Sequence, residues 1–434
     1  MDTRAALHSL ARSIFTSALK AADARAATRK AIKLKNGELF VLDRKLTAPR
    51  PYVVSIGKAS LSMAMGIDDA VSGHVAQGIV VSPEGAVQPE ASLKNWQLRT
   101  GGHPLPNQNS LDSARAIFGL LSRANAERAS IVFLISGGGS AMVEWPVDER
   151  ISLEDLRTTN QILVTSGASI FEINLVRRAF SAVKGGGLAR ALPDADVITL
   201  IVSDTNQGDE VSVASGPTLT PPLGTLDAMD VVSRYHLQQR LPESVMNAIT
   251  LSPATQSIKP SPYYVLLQNQ TALEAASEEA RRRSFVPFID YEINEQPIQE
   301  GCELLLGQLS RKTNRESVCL ISGGEFSCKV RGDGKGGRNL ETVLRSAIEL
   351  DRNPPSGEVV VLSCGTDGID GNSPAAGAVA DQTTVARARG LGMDAAEYLA
   401  RSDSYSFFEK LGDVIMTGPT GTNVRDVRLI LKQN

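Results

Sequence analysis

The sequence contains few of the side chains that build disulfide frameworks or metal centres. Its 434 residues include four cysteines and four histidines, and no two cysteines form a C-x-x-C pair. A zinc site is therefore not expected. We expect free thiols in a cytoplasmic protein at Cys302, Cys319, Cys328 and Cys364.

Aromatic residues, excess charge and long apolar runs are also scarce. Aromatic residues make up 5% of the chain and the formal net charge is −3. Neither value argues for a nucleic-acid partner, which needs basic patches or stacking platforms. No apolar run approaches the roughly 18 residues of a membrane span. The partners we expect are small molecules, with neither nucleic acid nor membrane.

Continuous apolar segments alternate with helical patterns in the first half of the chain. Unbroken rather than alternating hydrophobicity is typical of strands buried on both faces of a parallel sheet. The apolar segments cover 51–57, 78–83, 129–139 and 196–204, and helical patterns cover 110–127 and 153–171. This order predicts a three-layer α/β/α, Rossmann-like domain.

A second α/β set begins near residue 315. Strand-like segments cover 317–325, 357–371 and 413–431, and a helical pattern covers 338–350. We therefore predict two domains: residues 1–312 form the Rossmann-like domain, and residues 313–434 form a smaller α/β domain.

The stretch GDGKGGRNLE (332–341) has the G-x-G-x-x-G spacing of a dinucleotide-binding loop. It follows a strand-like run at 325–330 and precedes the predicted helix. A dinucleotide fingerprint also needs an acid about 20 residues beyond the glycines. The first acid at the end of the next predicted strand is Asp367, well beyond that distance. Lys335 and Arg338 flank the glycines, so the alternatives are another phosphate ligand and a glycine-rich turn that binds nothing.

Polar residues follow the predicted strands, where ligands of open α/β sheets collect. Glycine amides bind phosphate, carboxylates hold Mg²⁺, and lysine or arginine neutralises charge during phosphoryl transfer. The strand-end residues include Lys58, the SGGGS segment 136–140, Asp204, Asp209, Asp367 and Asp370. Taken singly, Lys58 could be a surface charge and Asp204 a helix cap. Neither G-x-S-x-G nor a Walker A motif is present, so a serine hydrolase and a P-loop kinase are disfavoured.

Nine ordered motifs resemble those of the class II glycerate 2-kinases, whose C-terminal part is the MOFRL domain. They are SIGKAS (55–60), GGHPLPN (101–107), SGGGSAM (136–142), NLVRRAFSAVKGGGLA (174–189), SDTNQGDEVSVASGPT (203–218), GGEFSCKVRGDGKGGRNLE (323–341), GTDGIDGNSPAAGAVAD (365–381), DSYSFF (403–408) and TGPTGTNVRD (417–426). The sequence departs from the family pattern at Asn107, Thr205, Ala179, Leu340 and Arg425.

This resemblance implies a two-domain α/β enzyme, monomeric or homodimeric, with its active site in the cleft between the domains. The implied reaction is the ATP- and Mg²⁺-dependent phosphorylation of the 2-hydroxyl of D-glycerate to give 2-phosphoglycerate. The implied catalytic residues are Lys58, Arg338 and Asp204, and Asp204 and Asp209 are the implied metal ligands. Substrate or phosphate binding is assigned to Ser136, Gly137, Gly138, Gly139, Ser140, Arg177, Lys184, Asp209, Asn339, Asp367, Thr420 and Asn423.

Two other functions stay open at this stage. An NAD(P)H-dependent hydroxypyruvate reductase would use the glycine loop at 332–337 to hold its cofactor. A non-catalytic sugar-acid binding protein would keep the fold without the reaction; the presence of Lys58 and Arg338 argues against it.

Overall fold

The chain divides into two compact units in the computed structural model, which describes residues 3–85, 93–220, 226–252, 260–311 and 316–433. The first unit is Ala24–Leu267, and the second unit combines Met1–Asp23 with Gln268–Asn434. Within the described residues, no helix is long and apolar enough to cross a membrane.

The first unit contains nine strands and, within its described residues, nine α-helices. The strands are β1 (Ile32–Lys35), β2 (Glu38–Val41), β3 (Arg44–Lys45), β4 (Tyr52–Ile56), β5 (Gln77–Pro83), β6 (Trp96–Gly101), β7 (Ser130–Ser136), β8 (Asp196–Val202) and β9 (Tyr263–Leu267). After α1 (Thr3–Ala21), which belongs to the second unit, the helices are α2 (Ala24–Ala31), α3 (Ser60–Val71), α4 (Gln108–Ala126), α5 (Gly139–Met142), α6 (Leu153–Val164), α7 (Ile170–Phe180), α8 (Gly187–Arg190), α9 (Ala228–Arg234) and α10 (Glu243–Leu251).

Six of these strands form one parallel sheet in the order β6-β5-β4-β7-β8-β9. Counted from β4, this is the 3-2-1-4-5-6 order of a Rossmann fold, so the predicted architecture is confirmed. Every residue of β4 and β7 is buried, which explains the unbroken apolar runs in the sequence. The order reverses between β4 and β7, where such folds bind ligands. The small antiparallel sheet β1-β2-β3 was not predicted.

The helical pattern at 153–171 is broken in the structure into α6 and the start of α7. Gly167 adopts a left-handed φ of 85° between them. Ser169 then caps α7 by accepting a hydrogen bond from the Glu172 amide at 3.3 Å, and Glu172 bonds back to the Ser169 amide at 2.9 Å. This capping box starts a new helix within the periodic pattern.

The second unit is built on a mixed sheet. Its strands are β10 (Val286–Asp290), β11 (Val318–Gly324), β12 (Glu358–Gly365), β13 (Gly377–Asp381), β14 (Val414–Ile415) and β15 (Asp426–Gln433). Its helices after α1 are α11 (Asn269–Arg282), α12 (Ile298–Arg311), α13 (Arg338–Arg352), α14 (Thr384–Gly390), α15 (Ala395–Ala400) and α16 (Ser404–Leu411). The strand order is β10-β11-β15-β12-β13-β14, and β15 runs antiparallel to both of its neighbours.

The observed division of the chain differs from the predicted boundary after residue 312. That residue lies outside the described part of the chain, and the second unit begins earlier, at Gln268. The physical reason is strand pairing, because β10 joins β11 in parallel from Val286 opposite Val318 to Asp290 opposite Ser322. The N-terminal helix also belongs here: His8 Nε2 lies 2.8 Å from Asp381 Oδ2.

Candidate active site

Two predicted site segments meet where the strand order of the parallel sheet reverses. Lys58 follows β4, and Gly137 follows β7, the neighbouring strand. The Lys58 amide donates a hydrogen bond to the Gly137 carbonyl at 2.9 Å. Gly57 makes this approach possible, because it has a left-handed φ of 116° and lies against Ser136 with no room for a side chain.

Asp204 joins the same edge from β8. Its carboxylate lies in the space that a side chain at position 137 would occupy. His103 reaches the edge from the other side: a Cβ at position 138 would lie 3.2 Å from its Cδ2 atom. The SGGGS turn is therefore bordered by a carboxylate and an imidazole, and its glycines are required by close packing.

The hydroxyl of Ser136 forms hydrogen bonds within the protein. It is fully buried, donates to the Ile56 carbonyl at 3.2 Å and accepts from the Ala59 amide at 3.0 Å. These bonds tie the end of β7 to the turn that carries Lys58. Substrate binding at Ser136 stays a prediction, and the observed bonds of its side chain help to position the turn that carries Lys58.

Ser140 connects the glycine turn to a strained segment of the chain. Its Oγ lies 2.8 Å from Ser215 Oγ, which in turn lies 2.9 Å from Asn174 Oδ1. Ala214 and Ser215 have left-handed φ angles of 52° and 62°. Such angles are unfavourable for residues with a side chain and are found at functional sites.

Lys184 lies beneath the glycine turn and forms a buried ion pair with Glu144. Its Nζ also donates to the Ser140 carbonyl at 2.9 Å. The side chain is 2% exposed. Burial lowers the pKa of Lys184, and the Glu144 carboxylate opposes that shift. Substrate binding by Lys184 stays a prediction, and the contacts observed here hold Lys184 against the glycine turn.

Two arginines of α7 lie next to this ion pair. Burial lowers the pKa of Arg177, with Glu144 acting in the opposite direction, and burial also lowers that of Arg178, with Asp209 opposing it. The Nε atoms of both arginines are buried without a hydrogen-bond partner. Asp209 itself is exposed, and its Oδ1 accepts a hydrogen bond from Ser212 Oγ at 2.7 Å.

The carboxylates of Asp204 and Asp209 are hard oxygen donors of the kind that Mg²⁺ prefers. Among the residues that the structure describes, no group of three or more His, Cys, Asp or Glu side chains could hold a metal ion. Mg²⁺ commonly binds through one or two carboxylates together with substrate phosphates. The assignment of Asp204 and Asp209 as metal ligands stays a prediction.

In the second unit, the predicted catalytic residue Arg338 is held by two carboxylates. Its Nε lies 2.6 Å from Asp426 Oδ2, and its Nη2 lies 3.0 Å from Asp426 Oδ1 and 2.9 Å from Glu325 Oε1. Burial disfavours the charged guanidinium, but these carboxylates and Asp370 outweigh it and hold the pKa of Arg338 above its usual range. The Arg338 guanidinium is therefore charged, and its orientation is fixed by these carboxylates.

The sheet itself determines the position of Asp426. It is the first residue of β15 and pairs with Gly324 on one side and Gly365 on the other. A Cβ on Gly365 would lie 3.1 Å from Asp367 Oδ1 and 3.5 Å from Asp426 Oδ1. Asp367, which was predicted to bind substrate, therefore lies beside Gly365. Asp426, the partner of Arg338, lies beside the same glycine.

Asn339 is buried and lies behind Arg338. Its amide and its Nδ2 donate to Asp370 Oδ1 at 3.0 and 3.2 Å, and its Oδ1 accepts from Ser363 Oγ at 2.5 Å. Asp370 also accepts from the Leu340 amide at 2.8 Å, so it caps α13. Burial raises the pKa of Asp370 to about 7, against the effect of these amides. The contacts of Asn339 observed here fix the start of the helix that carries Arg338, and its role in binding stays a prediction.

Thr420 and Asn423 lie in the loop before β15. Thr420 Oγ1 donates to the Thr366 carbonyl at 2.6 Å, and its amide donates to the Asp367 carbonyl at 3.2 Å. Asn423 Oδ1 accepts from the Arg425 amide at 3.2 Å. Both side chains hold the loop that leads into Asp426, so their contacts are with the protein's own backbone.

The glycine loop at 332–337 packs against the protein's own chain. Side chains at Gly332 and Gly334 would collide with the Arg401–Asp403 turn, and one at Gly337 would collide with Asp370. The Gly334 amide donates to the Arg401 carbonyl at 3.2 Å. The run at 325–330 expected to be a strand forms only an isolated bridge at Ser327. The glycines are therefore explained by packing, and a dinucleotide is not needed to account for them.

Sequence reasoning missed several groups that the structure places beside the predicted residues. Asp426 and Glu325 pair with Arg338, and Glu144 pairs with Lys184. Asp426 and Glu325 each stand inside a quoted motif, so their carboxylates were visible. Their pairing was not, because the partners are far apart in the chain.

The five departures all have described contacts, and Ala179 packs against the hydrophobic core of α6, α7, α9 and α10. Asn107 caps α4 by accepting from the Ser110 amide at 3.1 Å, and Thr205 Oγ1 donates to the Asp209 carbonyl at 3.1 Å. Leu340 is fully buried in the core around α13. Arg425 has a left-handed φ of 70°, and its Nη2 lies 2.5 Å from Glu295 Oε1.

Comparisons with known proteins agree with this architecture. A family model described as a domain of unknown function, DUF4147, matches residues 10–250, and the model of the MOFRL family matches residues 318–426. The chain is 33% identical to a glycerate 2-kinase of Pyrococcus horikoshii over 94% of each protein. It is 36% identical to a putative hydroxypyruvate reductase of Agrobacterium vitis, over 88% of this chain and 87% of that protein.

A solved structure has the same fold along nearly the whole chain. The crystal structure of a glycerate kinase from Thermotoga maritima superposes with a TM-score of 0.83 and 30% identity, and the match covers 98% of this chain and 99% of that one. The chain therefore belongs to the glycerate kinase family that joins a DUF4147 domain to a C-terminal MOFRL domain.

Proposed function

We propose that the protein is an ATP-dependent glycerate kinase that phosphorylates the 2-hydroxyl of D-glycerate. The observation that carries the proposal is the meeting of Lys58, Gly137 and Asp204 at the switch point of the parallel sheet. A cation, backbone amides and a carboxylate are the groups that phosphoryl transfer to an alcohol requires. The similarity to a glycerate 2-kinase supports the same reaction.

Each group has a distinct role in the proposed reaction. Lys58 stabilises the negative charge spread over the transferred phosphoryl oxygens, and Arg338 is the second cation that the resemblance assigns to the reaction. Asp204 orients the 2-hydroxyl and accepts its proton as the oxygen attacks phosphorus. Asp209 would hold the Mg²⁺ of MgATP, which would supply positive charge to the phosphate oxygens. The phosphoryl group leaves ADP and forms 2-phosphoglycerate.

Reduction of hydroxypyruvate is the competing activity, because relatives carry that name. It would require a nicotinamide cofactor. The glycine loop at 332–337, which suggested such a cofactor in the sequence, packs against the protein's own chain around Arg401 and Asp370. No other observation on the described residues favours a dinucleotide, so we retain the kinase.

The decisive experiment measures ADP release from purified full-length protein with MgATP and D-glycerate. A parallel reaction contains NADH and hydroxypyruvate in place of those substrates. We expect ADP release that depends on glycerate and no oxidation of NADH. NADH oxidation without any glycerate-dependent ADP release would establish the reductase instead.

A further inference from the structure

The cationic cluster is formed by Arg177, Arg178 and Lys184. Lys184 is paired with Glu144, and the Glu144 carboxylate also acts on the charge of Arg177. The Asp209 carboxylate acts on the charge of Arg178. Within the described residues, the pair of Lys184 and Glu144 is the one ion pair of this cluster.

Both arginines have an Nε atom without a partner. The two side chains are half-buried, their Nε atoms are buried and unbonded, and within the described residues neither Arg177 nor Arg178 forms an ion pair closer than 4 Å. A buried polar atom without a partner is costly to the folded protein. Lys184 differs, because its Nζ contacts both Glu144 and the Ser140 carbonyl.

The loop that follows α7 leaves space for the Arg178 side chain. Gly185 has a left-handed φ of 57°, and a Cβ there would lie 3.1 Å from Arg178 Cγ. The absence of a side chain at Gly185 leaves room for the arginine to cross the loop. The same loop is fixed by the Gly185 amide, which donates to the Ser215 carbonyl at 3.1 Å.

This cluster borders the glycine turn of the candidate site. Lys184 contacts Ser140, the residue after the three glycines. Asp209 lies on the segment after β8 that also carries Asp204. The cluster therefore adjoins the glycine turn through Lys184 and the segment of Asp204 through Asp209.

We propose that Arg177 and Arg178 together form the receptor for the carboxylate of the acid substrate. Guanidinium groups bind carboxylates through two parallel hydrogen bonds, which a lysine cannot reproduce. The proposal rests on the proposed kinase function and specifies which residues distinguish a hydroxy acid from a neutral alcohol.

The test compares D-glycerate with D-glyceramide, in which an uncharged amide replaces the carboxylate. Steady-state kinetics with MgATP are measured for the wild type, Arg178→Met, Arg177→Met and the exposed control Arg240→Met. We expect each cluster variant to lower kcat/KM for glycerate by about 10- to 100-fold, because KM increases. This factor corresponds to the loss of one hydrogen bond to a charged group. The KM for ATP and turnover of glyceramide should stay within a factor of about three, as for the control.

Conservative variants separate this role from a structural one. Arg178→Lys and Arg177→Lys keep the charge in a smaller head group, and thermal melting verifies that they fold. An increase in the KM for glycerate with an unchanged KM for ATP supports the proposal even if a methionine variant fails to fold. Equal losses for glycerate and glyceramide overturn it, and so does a rise in the KM for ATP alone, which would assign the cluster to phosphate.

Calorimetric titration of D-glycerate into the full-length protein makes the outcome independent of turnover. If the wild type binds glycerate but releases no ADP, the kinase function fails while the receptor can still be tested. Weaker glycerate binding in both lysine variants then supports the receptor. Unchanged binding in both variants contradicts it.

Discussion

Arg338 donates two nearly parallel hydrogen bonds to Asp426, from Nε to Oδ2 at 2.6 Å and from Nη2 to Oδ1 at 3.0 Å. Asp426 is fully buried, and its backbone pairs with Gly324 and Gly365 on the two neighbouring strands. The direction of the guanidinium is therefore set by the central strand of the sheet. A cation fixed in this way needs little rearrangement when charge develops on a substrate.

Arg338→Lys is expected to lower kcat by about 100- to 1,000-fold, the usual cost of losing one preorganised donor at a transition state. Lysine keeps the charge but cannot form the two-point pair with Asp426. The kinetics are compared with Arg352→Lys, a control at the exposed end of the same helix. A kcat within threefold of wild type would remove Arg338 from the catalytic groups.

Lys58→Ala is expected to lower kcat by a similar factor while the melting temperature stays close to that of the wild type. The Lys58 backbone bond to Gly137 does not depend on the side chain, so the turn should persist. Lys33→Ala, at an exposed lysine of β1, is the matched control. Loss of activity together with a large fall in melting temperature would instead indicate that Lys58 is structural.

The buried pair of Lys184 and Glu144 makes a prediction about stability. Glu144→Gln leaves the Lys184 charge buried without its partner, and we expect a loss of about 3–5 kcal/mol in the free energy of unfolding. The double variant Glu144→Gln/Lys184→Met removes both charges and should recover part of that loss. Urea unfolding monitored by circular dichroism measures both values. A Glu144→Gln variant as stable as wild type would show that the pair contributes little.

The link between α1 and β13 predicts a pH dependence of stability. Burial tends to raise the pKa of Asp381, but hydrogen bonds from His8 and Thr383 outweigh it and lower the pKa to about 2. A lowered carboxylate pKa stabilises the fold above the unfolded value near 4, and the contribution disappears as the pH falls through about 2. Asp381→Asn should therefore cost about 2 kcal/mol at pH 7 and almost nothing at pH 2.

Asp351→Asn is the control for this prediction. Asp351 pairs with Arg389 at the surface, where ion pairs contribute little. We expect a change below about 0.5 kcal/mol at either pH. A loss in Asp381→Asn that is the same at pH 7 and pH 2 would mean that the Asp381 charge is not what stabilises this contact.

The parallel sheet was predictable because its buried strands are unbroken apolar runs in the sequence. The runs at 51–57, 78–83, 129–139 and 196–204 became β4, β5, β7 and β8. The mixed sheet was not predictable in the same way. Strand β15 lies between β11 and β12 although it is last in the chain, and nothing local in Asp426–Gln433 indicates its neighbours or its direction.

The residue types of the candidate site were predictable from the sequence, but the pairs that these residues form were not. Lys58, Arg338 and Asp204 were identified from motifs, whereas the partners of Arg338 and Lys184 depend on folding that joins distant segments. The same limit affected Ser136 and Asn339. Both stand in glycine-rich motifs, yet their polar atoms bond to Ala59 and Asp370. Only the folded chain distinguishes a group that binds a ligand from one that positions its neighbour.

Identification of the product tests the central claim most directly. Full-length protein is incubated with MgATP and D-glycerate, and 2-phosphoglycerate and 3-phosphoglycerate are distinguished by phosphorus NMR. Our account predicts 2-phosphoglycerate in an amount equal to the ADP formed. Formation of 3-phosphoglycerate, or of no phosphorylated acid at all, would contradict it.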